Sequence, residues 1–121
     1  MANKKTLVLG ASANPSRYSY LAVNSLRSKG HDVVALGKKT GLVGQIPVET
    51  EAREIPGLDT VTLYLNPANQ KQYYNYILGL HPKRIIFNPG AENEAFSSMA
   101  RQQGIETQEA CTLVLLSTGQ Y

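Results

Sequence analysis

Tryptophan is absent from this chain of 121 residues, and cysteine occurs once, at Cys111. A single cysteine closes no internal disulfide, so the fold must rest on its core, as suits a reducing compartment. A chain this long buries about two-thirds of its unfolded surface and needs neither disulfide nor metal to fold. Long hydrophobic runs are also missing. No apolar stretch approaches the ~20 residues of a membrane span, and no basic segment followed by an apolar core opens the chain. The expectation is a cytoplasmic protein with no membrane partner. Histidine is scarce: His31 and His81 stand alone, and no metal-ligand spacing is present. Neither sign of charge dominates, with 12 Lys and Arg against 9 Asp and Glu. The basic residues fall in separate pairs, Lys4-Lys5, Lys38-Lys39 and Lys83-Arg84, rather than in one stripe. Nucleic acid is therefore not expected as a partner.

What is present is an alternation of apolar runs with segments of helical period. Thr6–Gly10 reads as a strand buried on both faces of a parallel sheet. A helix over Arg17–Lys29 follows and ends at Gly30, a natural C-terminal cap. His31–Gly37, Thr60–Leu65, Arg84–Phe87 and, weakly, Ile105–Gln108 read as further strands. Between them, Asn66-Pro67 opens a helix to about Leu80, and Glu92–Gln103 shows an apolar stripe of Ala95, Phe96, Met99 and Ala100. Thr112–Ser117 reads as a short helix or an edge strand. Gly41, Gly44, Pro47, Pro56 and Gly57 break the stretch from Thr40 to Leu58, which predicts a loop and a short turn of helix. The result is one domain, residues 1–121: a doubly wound, Rossmann-like three-layer α/β fold. Its sheet is expected to be five-stranded, mainly parallel and ordered 3-2-1-4-5.

In such a fold ligands bind at the carboxyl ends of the strands, beside the point where the strand order reverses. Four loops meet there: Gly10–Arg17, Leu36–Thr40, Leu65–Ala68 and Asn88–Glu92. The first reads Gly10-Ala11-Ser12-Ala13-Asn14-Pro15-Ser16-Arg17-Tyr18-Ser19. It keeps only the first glycine of the dinucleotide fingerprint G-x-G-x-x-G, with Ser12 in place of the second. A glycine turn running into a helix start brings backbone N–H groups and roughly half a positive charge to bear on a phosphate. Arg17 adds a planar fork that grips phosphate oxygens. Three loops carry an Asn-Pro pair, at Asn14-Pro15, Asn66-Pro67 and Asn88-Pro89, and asparagine followed by proline is a good helix start.

The end of the second strand separates ligand classes. NAD domains place an acid there, about 20 residues beyond the glycines, for the ribose hydroxyl. This chain has Gly37-Lys38-Lys39, which disfavours NAD and leaves NADP or coenzyme A. No acid, base or nucleophile emerges as a catalytic set. His31 opens the second strand and His81 precedes the fourth, so both are expected at the amino end, away from the cleft; Cys111 has no histidine placed to activate it, and Glu92 is suited to a helix first turn.

Together these segments resemble the coenzyme A-binding domain family, the small stand-alone Rossmann-type version of a domain also found in the alpha subunit of succinyl-CoA ligase. The resemblance rests on Gly10-Ala11-Ser12-x-Asn14-Pro15-x-Arg17-x-Ser19, on Asn66-Pro67, on Asn88-Pro89-Gly90-Ala91-Glu92-Asn93, and on Gly104-Ile105 and Cys111. It implies a nucleotide-binding domain with coenzyme A or an acyl-CoA across the carboxyl edge. The first loop and Arg17 would meet phosphates, and Asn66-Pro67 and Asn88-Pro89-Gly90 would line the cleft. Relatives commonly carry a Pro-Val-Asn-Pro-like segment where this chain has Ala35–Lys39, and the ligase histidine has no counterpart here. The reading is non-catalytic binding of coenzyme A, with a homo-oligomer or a protein partner possible. The alternative is an NADP-dependent oxidoreductase or an acyl-CoA-processing subunit that needs a partner.

Overall fold

Alternate residues of the first strand, β1 (Thr6–Ala11), serve opposite faces of one sheet in the computed structural model, which describes residues 3–121. Leu7 and Leu9 belong to the core on one face and Val8 and Ala11 to the core on the other. This two-sided burial makes β1 a nearly continuous apolar run. The elements then follow as α1 (Tyr18–Ser28), β2 (Val33–Gly37), β3 (Gly41–Val43), β4 (Ile46–Glu49) and β5 (Thr60–Leu63). After β5 come α2 (Pro67–Gln70), a 3-10 turn (Lys71–Tyr73), α3 (Tyr74–Leu80) and β6 (Arg84–Phe87). The chain continues through α4 (Glu94–Gln102), β7 (Glu106–Glu109) and α5 (Thr112–Ser117).

The three-layer α/β architecture and the mostly parallel sheet match the expectation, but the sheet has seven strands in the order β3-β4-β2-β1-β5-β6-β7. Five strands in the order 3-2-1-4-5 is therefore incorrect for the strands named above. The expected third strand, β5, pairs with β1 and not with β2. Its place beside β2 is taken by β4, within the stretch read as loop. Pro47 and the two glycines suggested no strand there. Gly44, at φ 60°, instead makes the two-residue turn of an antiparallel hairpin, and Pro47 sits near the start of β4, where the lost N–H is tolerated. Val43 and Val48 pay into the core from this hairpin.

On one face, α1 and α5 cover Val8, Ala35, Val48 and Ile86 with Val23, Leu26, Leu115 and Leu116. On the other, α3 and α4 cover Leu7, Leu9, Leu36 and Phe87 with Ile77, Phe96 and Ala100. The single helix expected from Asn66 to Leu80 is broken by the 3-10 turn. At the amino edge, Tyr121 is buried, with the Arg84 guanidinium 4.4 Å from its ring centroid and the His31 ring 5.0 Å away. The second strand starts at Val33 and not at His31 as expected, so His31 lies in the loop before it and is buried. No helix among the described residues is long and apolar enough to cross a membrane.

Candidate functional site

The strand ends β2-β1-β5-β6 stand side by side, so the four expected loops do meet on one rim. Glycines set how closely they approach. Gly10 is an inserted residue in β1, where the register against β2 shifts between Leu9 and Ala11, and its φ is 91°. A Cβ on Gly10 would lie 3.0 Å from the backbone carbon of Tyr64. One on Gly37 would lie 2.1 Å from the Ala11 oxygen, and one on Gly41 would lie 2.6 Å from Ala13 Cβ. Glycine at these positions lets the first loop lie directly against its neighbours on both sides.

The first loop is organised by Asn14. Its Oδ1 accepts from Ser16 N (3.0 Å) and Ser16 Oγ (2.8 Å), and Ser12 Oγ accepts from Asn14 N at 3.1 Å. Asn14-Pro15 therefore makes a turn and is not the helix start expected of it; the N-cap of α1 is Arg17, without a side-chain cap. Tyr20 and Leu21 donate to the Arg17 carbonyl. Among the described residues, no acceptor is paired with the backbone N–H of Ser12, Ala13, Tyr18 or Ser19. The first turn of α1 contains no acid, so its partial positive charge is uncompensated. Arg17, Lys38 and Lys39 are exposed and take no part in the ion pairs found, Arg53–Glu49 and Arg101–Glu94. Asn14, Pro15 and Tyr18 are exposed, Ser12 and Ala13 half-buried, and Ala11, Ser19 and Gly37 buried.

The loops after β5 and β6 divide differently from expectation. Asn66 caps α2, its Oδ1 accepting from Asn69 N at 2.9 Å, and Pro67 is the first helical residue; both are exposed. Pro89 and Gly90 are exposed as well. Asn88 and Ala91 are buried. Asn88 Nδ2 donates to Thr62 Oγ1 (2.6 Å) and to the Leu63 carbonyl (2.8 Å), while its Oδ1 accepts from Thr112 N at 2.9 Å. It binds β5, β6 and the start of α5 to one another, with both side-chain N–H groups used inside the protein.

Three features escaped the sequence reading. The sequence pattern hides β4 and with it the loop that follows, Glu49–Arg53, which lines an open cleft of about 330 Å³ on the same edge. Its Arg53 bonds both Glu49 oxygens, and that pairing holds the Glu49 carboxyl below its ordinary range. Beneath the rim, Gln70, Asn93 and Tyr74 form a buried polar group joined by hydrogen bonds. On the opposite face of the sheet, towards Thr112 and Cys111, the Tyr64 hydroxyl is buried without a hydrogen-bond partner among the described residues, and burial pushes its pKa up to about 12. Cys111 is half-buried at the N-cap of α5. Among the described residues, no group of three His, Cys, Asp or Glu is placed to hold a metal ion.

Residues 4–117 match the family described as "CoA binding domain". The chain belongs to that family. A crystal structure described as an uncharacterized protein is similar to this CoA-binding domain over 100% of both chains, at 50% identity and a TM-score of 0.97. A hypothetical protein from Pyrococcus horikoshii OT3 covers 96% of this chain and 83% of its own, at 22% identity and a TM-score of 0.85. A Thermus thermophilus protein covers 98% and 91%, at 21% identity and a TM-score of 0.84. The last two likenesses concern the fold alone. No protein of curated function matches the chain.

Coenzyme A carries a diphosphate and a 3′-phosphate, so a CoA-binding domain needs donors and cations in a place its own side chains leave open. The rim of this one fits that demand: glycines where a Cβ would fill the space and, among the described residues, four amides without acceptors and three cations outside any ion pair.

Proposed function

We propose that this CoA-binding domain holds coenzyme A or an acyl-CoA at the carboxyl edge of its sheet, as a binding module. The observation that carries the reading is the β1–α1 turn, where four amides without acceptors meet an uncapped helix start and the free Arg17. There Ser12, Ala13, Tyr18 and Ser19 would donate to the diphosphate, with Gly10 and Ala11 setting the backbone and Asn14-Pro15 holding the turn. Lys38 and Lys39, one strand away, suit the 3′-phosphate. The exposed edges of Asn66-Pro67 and Pro89-Gly90 suit the remaining length of the ligand. The buried polar side chains nearby are engaged with the protein itself, which supports binding rather than bond-making chemistry.

Lys38-Lys39 would also suit the 2′-phosphate of NADP, and one experiment separates the two. Thermal unfolding is followed with coenzyme A, acetyl-CoA, NADP, NAD and ATP, each over a concentration series. A ligand at 100 times its Kd stabilises by about 2.7 kcal/mol, or roughly 10 °C in a domain this size. A saturable shift with coenzyme A or acetyl-CoA is expected. A shift with NADP alone would overturn the reading in favour of a nicotinamide ligand.

A further inference from the structure

Gln70 is fully buried at the end of α2, an unusual place for a long polar side chain. Every hydrogen-bonding group it has is used. Nε2 donates to the Leu65 carbonyl at 2.8 Å and to the Ala91 carbonyl at 2.7 Å, and Oε1 accepts from Asn93 Nδ2 at 3.0 Å. Leu65 immediately precedes Asn66-Pro67, and Ala91 immediately follows Pro89-Gly90. One amide group therefore spans the two rim loops that leave β5 and β6. Asn93 extends the tie: it also donates to Tyr74 Oη at 2.7 Å and caps α4 by accepting from Phe96 N at 3.0 Å. Tyr74 in turn stacks on Phe96 at 4.3 Å.

The planarity of the peptide carries this tie to the rim. In a trans peptide the carbonyl of one residue and the N–H of the next point in opposite directions. With the Leu65 and Ala91 carbonyls held by Gln70, the N–H groups of Asn66 and Glu92 point away from it. Both residues are exposed, and neither N–H has an acceptor among the described residues. An apolar side chain would fill the same space without fixing either peptide plane, since packing is not directional.

We infer that Gln70 is a positioning residue for the coenzyme A site: it sets the spacing of the β5 and β6 loops and aims the Asn66 and Glu92 amides at the ligand. The inference rests on the coenzyme A reading above and deepens it.

The test uses Gln70→Leu and Gln70→Glu in the full chain, with coenzyme A as titrant. Gln70→Leu is expected to weaken coenzyme A about tenfold. Ile105→Val, a core change elsewhere, should lower the thermal midpoint and leave affinity unchanged, which separates positioning from general stability. Gln70→Glu keeps the shape but has a donor only when protonated. It is expected to bind weakly at about pH 8 and to recover partly at about pH 5.5, whereas Gln70→Leu stays weak at both. The titratable groups around the network are Tyr74 on α3, Lys71 beside Gln70, Glu92 on Gly90 N, and Glu94 paired with Arg101. Wild-type titrations at both pH values correct for these and for the ligand.

If Gln70→Leu does not fold, the pH recovery of Gln70→Glu decides alone. Wild-type affinity in a folded Gln70→Leu, or no pH recovery in Gln70→Glu, would overturn the inference. Amide spectra of the ligand-free proteins distinguish its failure from that of the underlying reading. If wild type does not bind coenzyme A while Gln70→Leu displaces the Asn66 and Glu92 amides, the ligand is wrong and the positioning role stands. Undisplaced amides would overturn the positioning role itself.

Discussion

Gly37 abuts the carbonyl of Ala11 so closely that a Cβ would stand 2.1 Å from its oxygen and 3.1 Å from Val48 Cγ1. Both neighbours belong to the sheet, and the oxygen is backbone, so nothing can swing aside. Gly37→Ala is expected to cost about 2–3 kcal/mol, a fall in thermal midpoint of roughly 10 °C. It should also push the first loop off its position and weaken coenzyme A. A Gly37→Ala protein with unchanged midpoint would show that the approach is looser than described.

Asn88 should behave as a structural residue. Asn88→Ala strands Thr112 N and the Leu63 carbonyl in the interior, at about 1–3 kcal/mol for each unsatisfied group. Urea unfolding should show a loss of about 3 kcal/mol at nearly constant slope. A loss below about 0.5 kcal/mol, the range of ordinary surface substitutions, would contradict the buried crosslink.

Arg17 and the two lysines should behave in the opposite way. They are exposed and outside both ion pairs, so replacing them should change stability by less than about 0.5 kcal/mol. Arg17→Ala is expected to weaken coenzyme A by about 1.5–3 kcal/mol, the range of a charge-assisted bond. Lys38→Ala and Lys39→Ala should weaken coenzyme A but not 3′-dephospho-coenzyme A. Calorimetric titration of each pair checks this, and equal losses for both ligands would remove the lysines from the 3′-phosphate.

His31 makes stability depend on pH at the far end of the sheet. Burial lowers its pKa, and Lys4 and Arg84 lower it further against a smaller opposing effect of Asp59. The folded state therefore holds a neutral imidazole, whose Nδ1 accepts from Lys4 N at 2.9 Å. Because the folded pKa lies below the unfolded value, the unfolded chain binds more protons as the pH falls. The His31 contribution is complete above the ordinary histidine range near pH 6.5 and is lost as the pH falls towards the folded pKa. Urea midpoints should decline through that window in wild type and much less in His31→Gln. Equal slopes in the two proteins would contradict the assignment.

Legibility from sequence followed the range of the interactions. The β1 run depends on neighbours along the chain and could be read from it, whereas the need for glycine at Gly10, inside β1, comes from the approach of Tyr64 at the end of β5. The cap at Asn66, whose partner is Asn69, could also be read. The three Asn-Pro pairs look alike in sequence yet serve as a turn at Asn14, a cap at Asn66 and a buried crosslink at Asn88; the first two bond close neighbours along the chain, and only Asn88 takes its role from distant partners. Pro47 concealed β4 since its strand needs only Val48 and Glu49 to pair with β2, and with β4 went the correct strand order. Nothing in the sequence singles out Gln70 on the helix expected to start at Asn66-Pro67. Only the approach of Ala91 and Asn93 from 21 and 23 residues away makes it a core residue.

The most direct test of the account is an amide-resolved titration of the isotope-labelled protein with coenzyme A. Saturable displacement of the Ser12, Ala13, Tyr18 and Ser19 amides is expected, with smaller changes at Lys38 and Lys39. Displacements confined to the amino edge around Lys4, Lys83 and Arg84, or none at saturating ligand, would contradict it.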